Sequence, residues 1–113
     1  MDKDIYLKKS RDFDSVYGKR NIFGNRNLTF YMKKNRMGHP RLGFSISKKV
    51  GNAVTRNLLK RRLKSIYRQY KDILNLGVDG VIVVKKSCVD ISYKELEGSF
   101  VHVIRGGLKK FKR

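Results

Sequence analysis

Between Met32 and Tyr70 the chain carries no acidic residue, while Lys and Arg recur throughout. Such a stretch cannot close on itself through internal ion pairs. Its cations must face solvent or a polyanion, and its apolar residues must segregate to the other side. The pattern obeys that demand. Residues 27–33 alternate, with Leu28, Phe30 and Met32 on one face and Asn27, Thr29, Tyr31 and Lys33 on the other. Residues 41–47 alternate again, Leu42, Phe44 and Ile46 against Arg41, Gly43, Ser45 and Ser47. A polar turn region over 34–40, holding the only proline, Pro40, lies between them. The two runs therefore predict an antiparallel strand pair, one face apolar and the other small and polar with one tyrosine. A basic loop, Lys48-Lys49-Val50-Gly51-Asn52, leads into a helix predicted over 53–74. At 100° per residue, Leu59, Leu63, Ile66, Tyr67, Tyr70, Ile73 and Leu74 share one arc. Arg56, Asn57, Lys60, Arg61, Lys64 and Arg68 fill the adjoining arc.

The remaining elements follow from local signals. Ser10 is placed to cap a short helix over 11–19 that turns Phe13, Val16 and Tyr17 to one side. Gly18 and Gly24 bracket a break with room for a short strand near 21–23. Val81-Ile82-Val83-Val84 is an unbroken apolar run, as expected of a strand buried on both faces. Ser92-Tyr93-Lys94-Glu95 forms a capping box opening the last helix. Leu96, Phe100, Val103 or Ile104, and Leu108 make its apolar stripe, while Gly98, Gly106 and Gly107 predict fraying toward its end. The order is α-β-β-α-β-α with an optional extra strand, a single α+β domain over residues 1–113 without repeat or linker.

Composition narrows the function classes. Lys plus Arg number 28 against 9 Asp plus Glu, a formal net charge of +19, yet 40% of residues are hydrophobic, too many for a disordered tail. A folded domain so charged points to a polyanion, nucleic acid above all. A membrane surface would call for a long basic amphipathic helix with bulky apolar residues opposite. The single cysteine, Cys88, excludes an internal disulfide and a Cys-based zinc site. Met1-Asp2-Lys3-Asp4 lacks the apolar core of a signal peptide, and no apolar run approaches a membrane span, so a cytoplasmic location is expected.

Three constellations stand out. The basic arc of the 53–74 helix, extended by Lys48 and Lys49, reads as a sequence-independent phosphate contact. Gly51-Asn52-Ala53 opens that helix where a phosphate could meet its N-terminus. Tyr31 and Ser45 share the polar sheet face, where a tyrosine can stack on an unpaired base or pack across strands. Phe13 and Tyr17, by spacing alone, anchor their helix to the core. Catalytic signals are weak. His39 and His102 are far apart, Asp12 and Asp14 do not share a helix face, and Cys88 reads as inert. No catalytic or metal-binding residue is expected on the protein.

The segment Arg41-Leu42-Gly43-Phe44-Ser45-Ile46-Ser47-Lys48-Lys49-Val50-Gly51-Asn52-Ala53-Val54-Thr55-Arg56-Asn57-Leu58-Leu59-Lys60-Arg61 resembles the signature of the bacterial ribonuclease P protein subunit. That family reads R-L/V-G-x-S-V-S-K-K, then G-N-A-V, then R-N-x-x-K-R on a helix. The likeness extends weakly over the whole chain. It implies an α-β-β-β-α-β-α two-layer sandwich, like the second domain of ribosomal protein S5, with a left-handed crossover between parallel strands that pattern rules would not predict. It implies an RNA subunit that carries out Mg²⁺-dependent removal of 5′ leaders from precursor tRNA, with the Mg²⁺ bound mainly by that RNA. It implies a leader cleft at Phe13, Tyr17, Tyr31 and Ser45, so that Phe13 and Tyr17 become cleft walls. It implies RNA contacts at Arg56, Asn57, Lys60, Arg61 and Lys64, to which the basic loop, helix start and basic arc add Lys48, Lys49, Asn52 and Arg68 as expected contacts. Two departures are visible. Leu58 stands where members often have a third basic residue, and Lys64-Ser65 where they often have Arg followed by Glu or Gln. Lys64 keeps the charge without the bidentate fork. A ribosomal or RNA-chaperone protein with no role in cleavage is the competing reading.

Overall fold

The computed structural model describes residues 5–18, 21–70, 72–74 and 77–111. In chain order the elements are α1 (Ser10–Tyr17), β1 (Asn21–Gly24), β2 (Leu28–Lys34), β3 (Arg41–Ser45), α2 (Ala53–Tyr70), β4 (Val78–Val84), a short 3-10 helix (Lys86–Asp90) and α3 (Tyr93–Phe111). The optional first strand is therefore real, and the domain is α+β with a mixed four-stranded sheet.

The strands run in the order β1-β2-β4-β3. The expected antiparallel pairing of β2 with β3 is wrong. β4 lies between them, antiparallel to β2 and parallel to β3. Alternation tells which face a strand uses, not which strand it pairs with. The strand apolar on both sides takes the centre, because only there are both faces covered. Asp79 of β4 fixes the neighbours. Arg41 Nε and Nη2 donate to its two carboxylate oxygens at 2.9 and 2.7 Å, and Asn35 Nδ2 donates at 2.7 Å. β3 and β4 are joined through α2, the parallel crossover that the resemblance implies.

Residues 5–7 extend the sheet beyond β3. Leu42 N donates to Ile5 O and Leu7 N to Leu42 O, both at 2.9 Å. The sheet edge beside β3 is thus covered.

One face of the sheet carries the core. Leu28, Phe30, Met32, Leu42 and Ile82 are fully shielded from solvent and meet Leu59, Leu63, Ile66 and Tyr67 of α2 and Leu96, Phe100, Val103 and Ile104 of α3. The expected apolar arcs of both helices are the buried ones, and Leu58 is exposed, as its place on the wheel requires. Ser92 and Glu95 form the expected capping box, with Glu95 N donating to Ser92 Oγ at 3.1 Å. Gly106 and Gly107 do not end α3. A Cβ at either would fall within 2.6 Å of the Phe23 or Phe30 ring, so they let the helix settle onto β1 and β2.

Helix ends differ from expectation. α1 starts at Ser10 with Lys9 in the cap position and no side-chain cap bond, and it closes at Tyr17. The start is therefore one residue earlier than expected, with Ser10 inside the first turn. α2 stops at Tyr70, where Ile73 N donates back to Tyr70 O in a turn. Ile73 and Leu74 still pack on the core, which is why they fitted the arc.

Candidate nucleic-acid interface

Among the described residues, the other sheet face is covered by α1 and by Leu7. Leu7, Val16 and Val81 form a small buried cluster there, ringed by half-buried Phe13, Tyr17, Tyr31 and Val83. The register sets the rows. Tyr31, Val81 and Gly43 lie side by side across three strands, and Thr29, Val83 and Ser45 form the next row. Tyr31 and Ser45 thus share the polar face as expected, but with β4 between their strands rather than as direct neighbours.

The aromatic residues are positioned by contacts that the sequence does not spell out. Tyr17 and Tyr31 meet edge to face with ring centroids 4.9 Å apart. Phe13 lies over Gly43. A Cβ there would fall 2.4 Å from Phe13 Cζ, so the glycine makes the seat for the ring. Lys33 Nζ and Ser15 Oγ bond across from sheet to α1. All four expected cleft residues are brought to one side of the sheet, and each retains partial exposure.

Along α2, Asn52 Oδ1 accepts from Thr55 N at 2.9 Å and caps the helix, while Arg56 Nε donates to Gly51 O at 3.2 Å. Asn52 and Arg56 therefore hold the helix start. Asn57, Lys60, Arg61 and Arg68 are exposed on α2, as are Lys48 and Lys49 in the preceding loop, whereas Lys64 is half-buried. Lys64 Nζ stands 4.8 Å from the centroid of the Tyr6 ring. Burial lowers the Lys64 ammonium below its ordinary value, and the charges of Lys60, Arg68 and Lys8 lower it further. Cations crowd here, and among the described residues no carboxylate pairs with them.

Lys60 and Lys64 join the two regions. With Tyr6, Lys8, Phe13 and Gly43 they line a cavity of about 280 Å³ at the end of the α1 groove. With Val54, Asn57 and Arg61 they line a second of about 540 Å³ on the outer face of α2. Sequence reasoning missed Tyr6, Lys8 and the fully outward Val54, which is 78% exposed. The glycine inside the alternating strand was the available signal for the Phe13 seat. No pattern in the sequence marks Tyr6, whose hydroxyl is buried without a partner among the described residues.

The remaining chemical candidates are occupied elsewhere. His39 Nδ1 lies 3.1 Å from Pro40 O. His102 Nδ1 lies 3.1 Å from Asn25 Nδ2, and that amide is oriented because its Oδ1 accepts from Asn27 N and Leu28 N. The Cys88 thiol is buried, its pKa pushed up to about 11 mainly by that burial. Among the described residues no three His, Cys, Asp or Glu side chains gather as a metal site.

A half-open aromatic groove running onto a cation-rich helix marks the class: a small, strongly basic α+β domain. Comparison with known proteins gives the particular family. The family model for ribonuclease P matches residues 1–106. The ribonuclease P protein component of Bacillus mycoides is 38% identical over 115 residues, spanning 100% of both chains, and that of Finegoldia magna is 39% identical over 97% of this chain and 96% of its own. A Staphylococcus aureus RNase P protein mutant with defective mRNA degradation activity superimposes with a TM-score of 0.87 at 33% identity, covering 93% of this chain and 89% of its own. The RNase P protein from Thermotoga maritima gives 0.82 at 25% identity, covering 88% and 94%. The chain belongs to the ribonuclease P protein family.

Proposed function

We propose that this chain serves as the protein subunit of the ribonuclease P ribonucleoprotein and promotes removal of the 5′ leader from precursor tRNA. The observation that carries this reading is the ridge of Lys60 and Lys64, which makes the α1 groove and the α2 flank one continuous surface. A single-stranded leader lies in the groove against Phe13, Tyr17, Tyr31 and Ser45, its bases stacking without strict sequence demand. The catalytic RNA lies along Lys48, Lys49, Asn57, Lys60, Arg61 and Arg68, with Asn52 and Arg56 setting the helix start. Each phosphate neutralised releases counterions and lowers the repulsion between leader, tRNA and catalytic RNA. Hydrolysis belongs to the RNA subunit and to Mg²⁺ held mainly by that RNA, and the protein contributes position and charge. The protein works in the cytoplasm. Within the described residues no helix is long and apolar enough to cross a membrane.

The test is reconstitution with ribonuclease P RNA. Precursor cleavage at low Mg²⁺ should rise when the protein is added. No gain would favour the ribosomal or RNA-chaperone reading. Cleavage by the protein alone, abolished by His39→Ala or His102→Ala, would favour an autonomous nuclease. Tyr17→Ala should weaken precursor binding more than mature tRNA binding. Lys60→Ala should flatten the salt dependence of RNA-subunit binding by about one unit of slope.

A further inference from the structure

α3 packs on the sheet face opposite the α1 groove, so its outer surface looks away from the leader site. Lys94, Gly98, Val101, Arg105 and Lys109 follow one another at helical spacing and form a single line, about 22 Å long at the α-helical rise. With Tyr70 at the end of α2 they line a cavity of about 630 Å³.

Gly98 is unlike the other two glycines of α3. A Cβ at Gly106 or Gly107 would strike an aromatic ring, whereas at Gly98 it would meet nothing within 4 Å among the described residues. Glycine inside a helix is less stable than alanine, and among the described residues no packing offsets that loss at Gly98. The position leaves bare helix backbone as the floor of the cavity. Among the described residues Lys94, Arg105 and Lys109 have no ion-pair partner. Glu97, the carboxylate in the cavity, accepts a hydrogen bond from Tyr70 Oη at 2.9 Å.

We propose that this groove is a second RNA-binding surface, taking an unpaired RNA segment other than the leader. One base lies flat over Gly98 between Tyr70 and Val101, and the flanking phosphates meet Lys94, Arg105 and Lys109. Charge selects the occupant. A second copy of this chain, docked about a two-fold axis, would set the same three cations against themselves. An RNA strand brings both the negative charge and the planar group that a flat apolar floor accepts.

The test uses the full chain reconstituted with ribonuclease P RNA and saturated with precursor tRNA, so that the α1 groove is filled. The probe is a fluorescent unstructured oligouridylate. Gly98→Leu fills the floor without altering charge. It should weaken oligouridylate binding about ten-fold, while precursor affinity stays within about two-fold and the thermal midpoint does not fall. Gly98→Ala should raise the thermal midpoint and give a smaller loss of binding, which keeps the test valid if the leucine variant folds poorly. Tyr17→Ala should leave oligouridylate binding intact, so failure of the leader reading is separable from failure of this one. Unchanged oligouridylate affinity in both Gly98 variants would overturn the proposal. So would equal competition by polyglutamate of matched charge, which would assign the groove to an acidic protein.

Discussion

The two faces of the sheet are made by alternate residues of the same strands, yet they are built to different ends. On one face Phe30 of β2 is fully buried beneath α3. Its neighbour Tyr31 points the other way, half-exposed beside a single short helix. The core face holds its rings by enclosure on all sides. The open face holds them by a few ring contacts and one glycine seat, which leaves area for a ligand to cover. A domain of this size can leave one sheet face half open because two helices suffice to close the other.

The widest contrast lies between adjacent residues. Phe30→Ala should cost about 4 kcal/mol in urea unfolding, whereas Tyr31→Ala should cost about 1 kcal/mol and act chiefly on precursor affinity. Comparable stability losses would break the distinction between the faces. A second contrast uses glycines. A Cβ at Gly80 and one at Gly43 would each fall 2.4 Å from a phenylalanine ring, Phe30 and Phe13 respectively. Phe30 has no room to move, so Gly80→Ala should cost about 2 kcal/mol. Phe13 is half-exposed and can swing out, so Gly43→Ala should cost less than about 1 kcal/mol while lowering leader binding.

Acid sharpens the picture at the charged end of the open face. Burial pushes the Asp79 carboxyl up, but hydrogen bonds from Arg41 and Asn35, with the charges of Arg41 and Lys33, outweigh it and leave its pKa below the ordinary value. A depressed folded pKa gives stability that is present above the unfolded carboxylate range and is lost as pH falls through the folded value. Asp79→Asn should therefore lower stability at neutral pH and flatten its decline in acid, read by urea midpoints across pH. The smallest effect is expected at Ser45. Ser45→Ala should change stability by less than about 0.5 kcal/mol, since Ser45 sits partly exposed in the outer row of the open face.

Much of this was legible in the chain. Period-two alternation assigned Phe30 and Tyr31 to opposite faces, and helical periodicity separated Leu63 from Lys60. The acid-free stretch between Met32 and Tyr70 marks where the exposed cations of α2 gather. Strand order was not legible, because alternation carries no record of partners. The Arg41–Asp79 pair that fixes β3 beside β4 joins residues 38 apart in sequence. The part played by Tyr6 and Lys8 was equally hidden. It arises from the pairing of residues 5–7 along the edge of β3, a contact that depends on tertiary structure rather than local pattern.

The place of β4 has a consequence for how the molecule comes into being. Among the described strands, the one that joins β2 to β3 is the last to leave the ribosome. Until residue 84 has emerged, β2 and β3 have no common neighbour, and their apolar sides must wait uncovered. Folding of the sheet is thus deferred until β4 is available, and a nascent chain halted before Val78 would hold two unconnected sheet fragments prone to self-association.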